Sequence, residues 1–246
     1  GEVRAAREND LGRVVAMKTL RGELRGQEAF IRALVFEARL TGQLEHPNIV
    51  PVHELGVDDK QRPFFAMKMV RGRSLGQVLE DLSAMSPTAE NDWPLGRLTN
   101  VLVSVCNALS YAHARGVIHR DLKPANVMIG DFGEVYLMDW GVAKIIGAQP
   151  GTDPAPAWVN APAQPTFSLM PEEEPTQVEP ASLDSSSAFV ARPVTPVSPR
   201  IVSDRRSGGA MTREGWVLGT PGYMPPEQAR GQTHAIDQRS DVFALG

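Results

Sequence analysis

The chain has 246 residues, 42% of them hydrophobic, with 25 Lys and Arg against 29 Asp and Glu. That supplies the apolar mass for one large domain or two lobes and excludes a wholly disordered chain. A net charge of -4 without a long basic run argues against a protein held on a duplex by phosphate contacts, so no nucleic-acid partner is expected. The single Cys106 excludes an internal disulfide and a Cys-based zinc site, and the five His residues lack metal-ligand spacing. No apolar run approaches the roughly 18 residues of a membrane span, and a reducing, cytoplasmic setting is expected. The chain starts at Gly1 without Met and stops inside Asp241 to Gly246, so it reads as a fragment.

In chain order, Arg13 to Lys18 is a short β-rich run. From Gln27 to Leu44, apolar Phe30, Leu34, Leu40 and Leu44 recur at helical spacing. Pro47 disfavours helical geometry at His46 and ends that helix. Ile49 to Leu55 and Pro63 to Val70 read as strands around an Asp58-Asp59 turn. Leu95 to Ala114 is a second helix with apolar Leu98, Val101, Leu102, Val105, Leu109 and Ala112, on which Cys106 is expected as a small core residue. Eleven of the 20 prolines fall in residues 147–211, a Ser- and Ala-rich stretch without Lys. That composition predicts a disordered insert, and it carries most of the net negative charge.

The chemistry concentrates in His119-Arg-Asp-Leu-Lys-Pro-Ala-Asn126 and in the segment after it, to Gly141. Val127 to Gly130 and Glu134 to Met138 are short apolar runs on either side of Asp131-Phe132-Gly133, which is a hairpin. Its open end brings Asn126 beside Asp139, and two such oxygen ligands suit Mg2+, which fills its shell with water and substrate phosphates. Asp121, five residues upstream, is placed to take a proton from an incoming hydroxyl.

Taken together these motifs resemble those of a eukaryotic-type (Hanks-type) serine/threonine protein kinase of the bacterial kind. The resemblance implies an α+β, two-lobed fold with a β-rich small lobe, one regulatory helix and a mainly helical large lobe. The expected divisions are 1–70, 71–146, the insert 147–211, and 212–246. It implies ATP and Mg2+ as cofactors and protein Ser or Thr hydroxyls as substrates in signal transduction. Asp121 is then the base, Lys123 stabilises the γ-phosphate, and Asn126 and Asp139 hold the metal. Asp131-Phe132-Gly133 spells the family's metal-binding triplet but sits at the wrong end of the hairpin, so Asp139-Trp140-Gly141 takes that role. Lys18, in Val15-Ala-Met-Lys18, would grip the α- and β-phosphates, paired with Glu37, whose carboxylate interrupts an apolar stripe and needs a partner. Met67 is the expected gatekeeper, with the backbone of Lys68, Met69 and Val70 on the adenine edge and Val3, Ala16 and Met128 around the ring. Gly1 stands as the last glycine of the phosphate loop.

Gly219-Thr-Pro-Gly-Tyr-Met-Pro-Pro-Glu227 resembles the end of the activation segment, with Pro225 where Ala is usual. Thr220 would bond Asp121 and Lys123. Asp241 is expected to open a helix supporting the catalytic loop, and to cap it. Arg120 suggests activation by a charge on the segment, with Thr212 as the first candidate and Glu214 contributing permanently. Only the end of the phosphate loop, Gly1-Glu2-Val3, is present, and the later large-lobe helices lie outside the chain, so this piece alone is expected to be unstable or inactive. Two rivals are a pseudokinase scaffold, which generally loses Lys18, Asp121 or Asp139, and a small-molecule kinase, which would lack Gly219 to Glu227.

Overall fold

The computed structural model describes residues 1–85, 91–146, 167–169 and 219–246. Strand β1 (Glu2–Glu8) and β2 (Val14–Thr19) lead to helix α1 (Glu28–Gln43), then β3 (Val52–Val57) and β4 (Pro63–Lys68). These form an antiparallel small lobe. Alternation along β2 sends Ala16 and Lys18 to one face and Val15 and Met17 to the other. Register then stacks Val3, Lys18 and Phe65 in one row and Ala5, Ala16 and Met67 in the next. On the Ala16 face, Leu34 and Ala38 of α1 close a core with Val50, Phe65 and Met67. The expected helix and strands are present within two or three residues, but Phe30 is 41% exposed rather than core. It lies in the first turn of α1, ahead of the stripe of Leu34, Ala38 and Thr41 that faces the sheet.

The large lobe begins with β5 (Gly72–Ser74) and α2 (Leu75–Ser83), started by a capping box between Ser74 and Gln77. Helix α3 (Leu95–Ala114) buries Val101, Val105, Ala108, Leu109 and Ala112, a stripe at i, i+4, i+7, i+8 and i+11. Cys106 and Leu102 fall off that stripe and are exposed, which corrects the core placement expected for both. Strands β6 (Val117–Ile118), β7 (Val127–Gly130), β8 (Val135–Leu137) and β9 (Lys144–Ile145) come next. β5, β7 and β8 make one small sheet, and β6 pairs with β9. The chain ends in the short helix α4 (Pro226–Ala229) and in α5 (Gln238–Leu245). Asp237, not Asp241, caps α5, by accepting from Arg239 N–H.

Most of the Pro-rich insert lies outside the described residues, as do Thr212 and Glu214. Phe167–Leu169 are an exception and form β10, antiparallel to Ala6–Glu8 of β1. On those three residues the expectation of an unstructured insert is corrected: the edge of β1 offers unpaired backbone groups that an extended segment satisfies. The main core runs through both lobes, joining Leu40, Leu44 and Ile49 to Leu137, Trp140 and the α3 stripe. Among the described residues no helix is long and apolar enough to cross a membrane.

Candidate active site

Lys18 reaches down from β2, and its ammonium donates to Glu37 Oε1 of α1 at 2.5 Å and to Asp139 Oδ1 at 3.4 Å. Two carboxylates share one ammonium. Burial acts to lower the Lys18 pKa, but Glu37 and Asp139 outweigh it and hold it above the usual lysine value. Glu37, only 7% exposed, is pushed up by burial, and Lys18 offsets this only in part. Asp139 is half-exposed at the foot of the cleft, whose walls act to raise its pKa; Lys18 and, more weakly, His119 and the Gly141 N–H reverse that and hold it low. A cavity of about 150 Å3 lies here, lined by Val3, Lys18, Glu37, Phe65, Met67 and Asp139 and also by Thr41, Val50 and Met138. The last three were not foreseen, although Thr41 sits four residues after Glu37 on the same helix face. Ala16, Met69 and Val70 pack beside this wall in the small-lobe core, and Met128 lies in β7 opposite Ser74 and Tyr136. Gly1 lies against the stem of Lys18, where an added Cβ would be 3.1 Å from Cε.

Across the cleft, hairpin β7–β8 has its Asp131-Phe132-Gly133 turn in solvent, with Phe132 98% exposed. Its open end joins Asn126 to the residue before Asp139, through Met138 N–H to Asn126 O at 2.8 Å. Asp139 is held at φ 62°, and Trp140 behind it is fully buried, edge-on to His119 at 4.6 Å. His119 in turn donates from Nε2 to Met138 O at 2.9 Å while its Nδ1 accepts from Asp121 N–H at 3.3 Å.

Asp121 collects three neighbours. Thr220 Oγ1–H donates to Oδ1 at 2.8 Å, Lys123 Nζ lies 2.8 Å from Oδ2, and Asn126 Nδ2 donates to Oδ2 at 3.1 Å and to the Asp121 carbonyl at 2.8 Å. Lys123 also donates to Thr220 Oγ1 at 2.6 Å. With its amide nitrogen committed to Asp121, Asn126 could offer only its side-chain carbonyl oxygen to a cation. Beneath the loop, fully buried Asp241 accepts from His119 N–H and Arg120 N–H, both at 2.9 Å, and contacts His113 Nε2 at 2.7 Å. Arg120 adopts φ 71° and is 4% exposed, and its Nε and Nη1 have no partner among the described residues. Its carbonyl accepts from Gln228 Nε2 at 2.6 Å. Left-handed backbone at Arg120 and Asp139 costs about 1–3 kcal/mol each and persists only because the surrounding bonds fix it.

A sheet lobe that lowers a lysine–glutamate pair onto a loop of Asp, Lys and Asn defines the two-lobed, kinase-like class of fold. A family model described as "Protein kinase domain" matches residues 1–158, and the chain belongs to that family, in its bacterial, Hanks-type form. It is 31% identical to the serine/threonine-protein kinase PknD of Protochlamydia amoebophila over 250 residues, spanning 100% of this chain and 21% of that protein. It is 33% identical to the serine/threonine-protein kinase pkn3 of Myxococcus xanthus over 254 residues, 34% of that protein. A probable serine/threonine-protein kinase PknB of Corynebacterium glutamicum is 32% identical over 248 residues, 28% of its length. The chain therefore spans between a fifth and a third of these relatives.

Proposed function

We propose that the protein transfers the γ-phosphate of ATP to Ser or Thr hydroxyls of other proteins. The observation that carries this reading is the Asp121 carboxylate, shared by Thr220, Lys123 and Asn126 from segments up to 99 residues apart. A substrate hydroxyl at Asp121 gives up its proton to that carboxylate as its oxygen bonds to the γ-phosphorus, and the bond from phosphorus to the β-γ bridging oxygen breaks, leaving ADP. Lys123 neutralises charge on the moving phosphoryl group, and Lys18, steadied by Glu37, holds the other phosphates. Positioning and electrostatics do most of such a reaction.

Members of this family generally bind ATP with Mg2+. The donor set here fits, with one carboxylate in Asp139 and one amide oxygen in Asn126 at the mouth of the hairpin, leaving the remaining positions to water and phosphates. Mg2+ bound there would offset phosphate charge. Among the described residues there is no group of three or more His, Cys, Asp or Glu suited to a metal. Lys123, two residues after the base, supports Ser and Thr over Tyr as acceptors.

The test is an assay of the full-length protein with labelled ATP, comparing wild type with Asp121→Ala and identifying the labelled residues. Label on Ser and Thr, lost in the variant, is expected; nucleotide binding without transfer by the wild type would select the pseudokinase reading. The buried guanidinium of Arg120, held low in pKa by burial and only partly supported by Asp241, supports control by an anionic group on the activation segment. Thr212 is the proposed phosphate carrier. Mass spectrometry of active enzyme with Thr212 unmodified would count against it.

A further inference from the structure

Three consecutive residues of β8 are tied to the small lobe. Val135 O accepts from Asn48 Nδ2 at 3.0 Å, and Leu137 N–H donates to Asn48 O at 2.8 Å. Between them Tyr136 Oη accepts from Lys68 Nζ at 2.5 Å, with the ammonium 4.7 Å from the centre of the Tyr136 ring. The Asn48 ties belong to the loop between α1 and β3 and engage backbone. The Lys68 tie is of another kind, since it joins two side chains at the last residue of β4, where the chain leaves the sheet for the other lobe.

The surroundings make this bond more than a surface contact. Tyr136 is 8% exposed, so its hydroxyl must find a partner. Alternation along β4 turns Met67 toward the cavity and Lys68 away from it, toward β8. Lys68 is anchored at its backbone as well, N–H to Pro51 O at 3.0 Å and paired with Val15 across the sheet. Each end of the bond lies within two residues of the cavity wall, because Lys68 follows Met67, and Tyr136 precedes Met138 and Asp139 by two and three. Among the described residues the Lys68 ammonium has no carboxylate partner, so the phenol and its ring are what hold it.

We infer that Lys68 and Tyr136 are positioning residues for the nucleotide. Their bond fixes the spacing between the end of β4, whose peptides would meet the adenine edge, and β8, which delivers Met138 and Asp139 to the opposite wall. This rests on the cleft being a nucleotide site. Loss of the bond lets the two walls drift apart and weakens binding without touching Asp121, Lys123 or Thr220. A bond that served the fold alone would change melting temperature and leave nucleotide affinity where it was.

The experiment compares full-length wild type with Tyr136→Phe, which keeps the ring and removes the acceptor, and with Lys68→Met, which removes the charge. Calorimetric binding of ADP with Mg2+ is measured beside KM for ATP, kcat and thermal unfolding. Tyr136→Phe is expected to bind ADP about fivefold more weakly, the net worth of one hydrogen bond, with KM raised by a similar factor and kcat within about twofold. Lys68→Met should match or exceed that loss, and Lys68→Arg should restore most of it. ADP affinity within about twofold of wild type in either of the first two variants, or a fall in kcat at constant KM, would overturn the inference. A wild type that binds no ADP would instead overturn the nucleotide reading itself, and this inference with it.

Discussion

At Lys18 the two carboxylates make opposite demands on pH. Glu37 has a raised pKa, so its contribution to stability is present below the ordinary value of 4.5 and is lost as pH rises through its folded value. Asp139 has a lowered one, so its contribution is present above 3.8 and is lost as pH falls through its folded value. Lys18, raised, contributes fully below 10.5 and loses this only as pH climbs through its still higher folded value. Protonation of Glu37, whose pKa burial holds above the ordinary 4.5, uncouples it from Lys18. Nucleotide binding should begin to fall with that protonation while this group adds no loss of folding stability. In Glu37→Gln that acid limb should vanish and binding should be weak throughout, as ADP titrations across pH would record. Gly141 presses on the same pair, since a Cβ there would sit 3.2 Å from Glu37 Oε2 and 3.3 Å from Asp139 Oδ1. Gly141→Ala is expected to weaken ADP binding several-fold while circular dichroism shows the fold retained. Part of this was legible in sequence: an acid in an apolar stripe shows that Glu37 needs a partner, and the family resemblance, with Glu37 nineteen residues after Lys18, implies which. The Lys68–Tyr136 bond was not legible, because nothing local at residue 68 or 136 marks two side chains that meet only when the lobes do.

At the scale of elements, hairpin β7–β8 offers two Asp-aromatic-Gly triplets and uses them differently. Phe132 is 98% exposed at the turn and Trp140 is fully buried past the open end. Asp131→Asn should leave phosphotransfer unchanged, whereas Asp139→Asn should lower it by at least about two orders of magnitude, the scale of losing an electrostatic contact made at the reacting phosphates. In urea unfolding, Phe132→Ala should stay within about 0.5 kcal/mol of wild type and Trp140→Ala should cost about 3–5 kcal/mol. The hairpin was readable because turn residues and short apolar runs are local signals. Burial along the helices was less so: periodicity locates a stripe on α1 or α3, but tertiary contacts decide its width, and Phe30, Leu102 and Cys106 fall outside it. Asp241 divides the same way: its place beneath the catalytic loop was legible, and it accepts from the peptides of His119 and Arg120 more than 120 residues back, but the cap expected of it belongs to Asp237.

For the whole molecule, the shared core and the Asn48 bonds make the lobes mechanically continuous on the α1 side of the cleft. Leu44→Ala in the small lobe should therefore destabilise both lobes together by about 2–5 kcal/mol, with far-UV circular dichroism and tryptophan fluorescence moving at one urea midpoint. Two separated transitions would show that the lobes fold independently. The Thr220–Asp121 bond, 99 residues across, carries a further consequence for chain statistics. In general the entropy of closing a chain segment grows only as the logarithm of its length. Roughly tripling the loop costs about 1 kcal/mol, no more than one hydrogen bond returns. The length of the activation segment is then thermodynamically almost free to vary, while the few residues that close it are not.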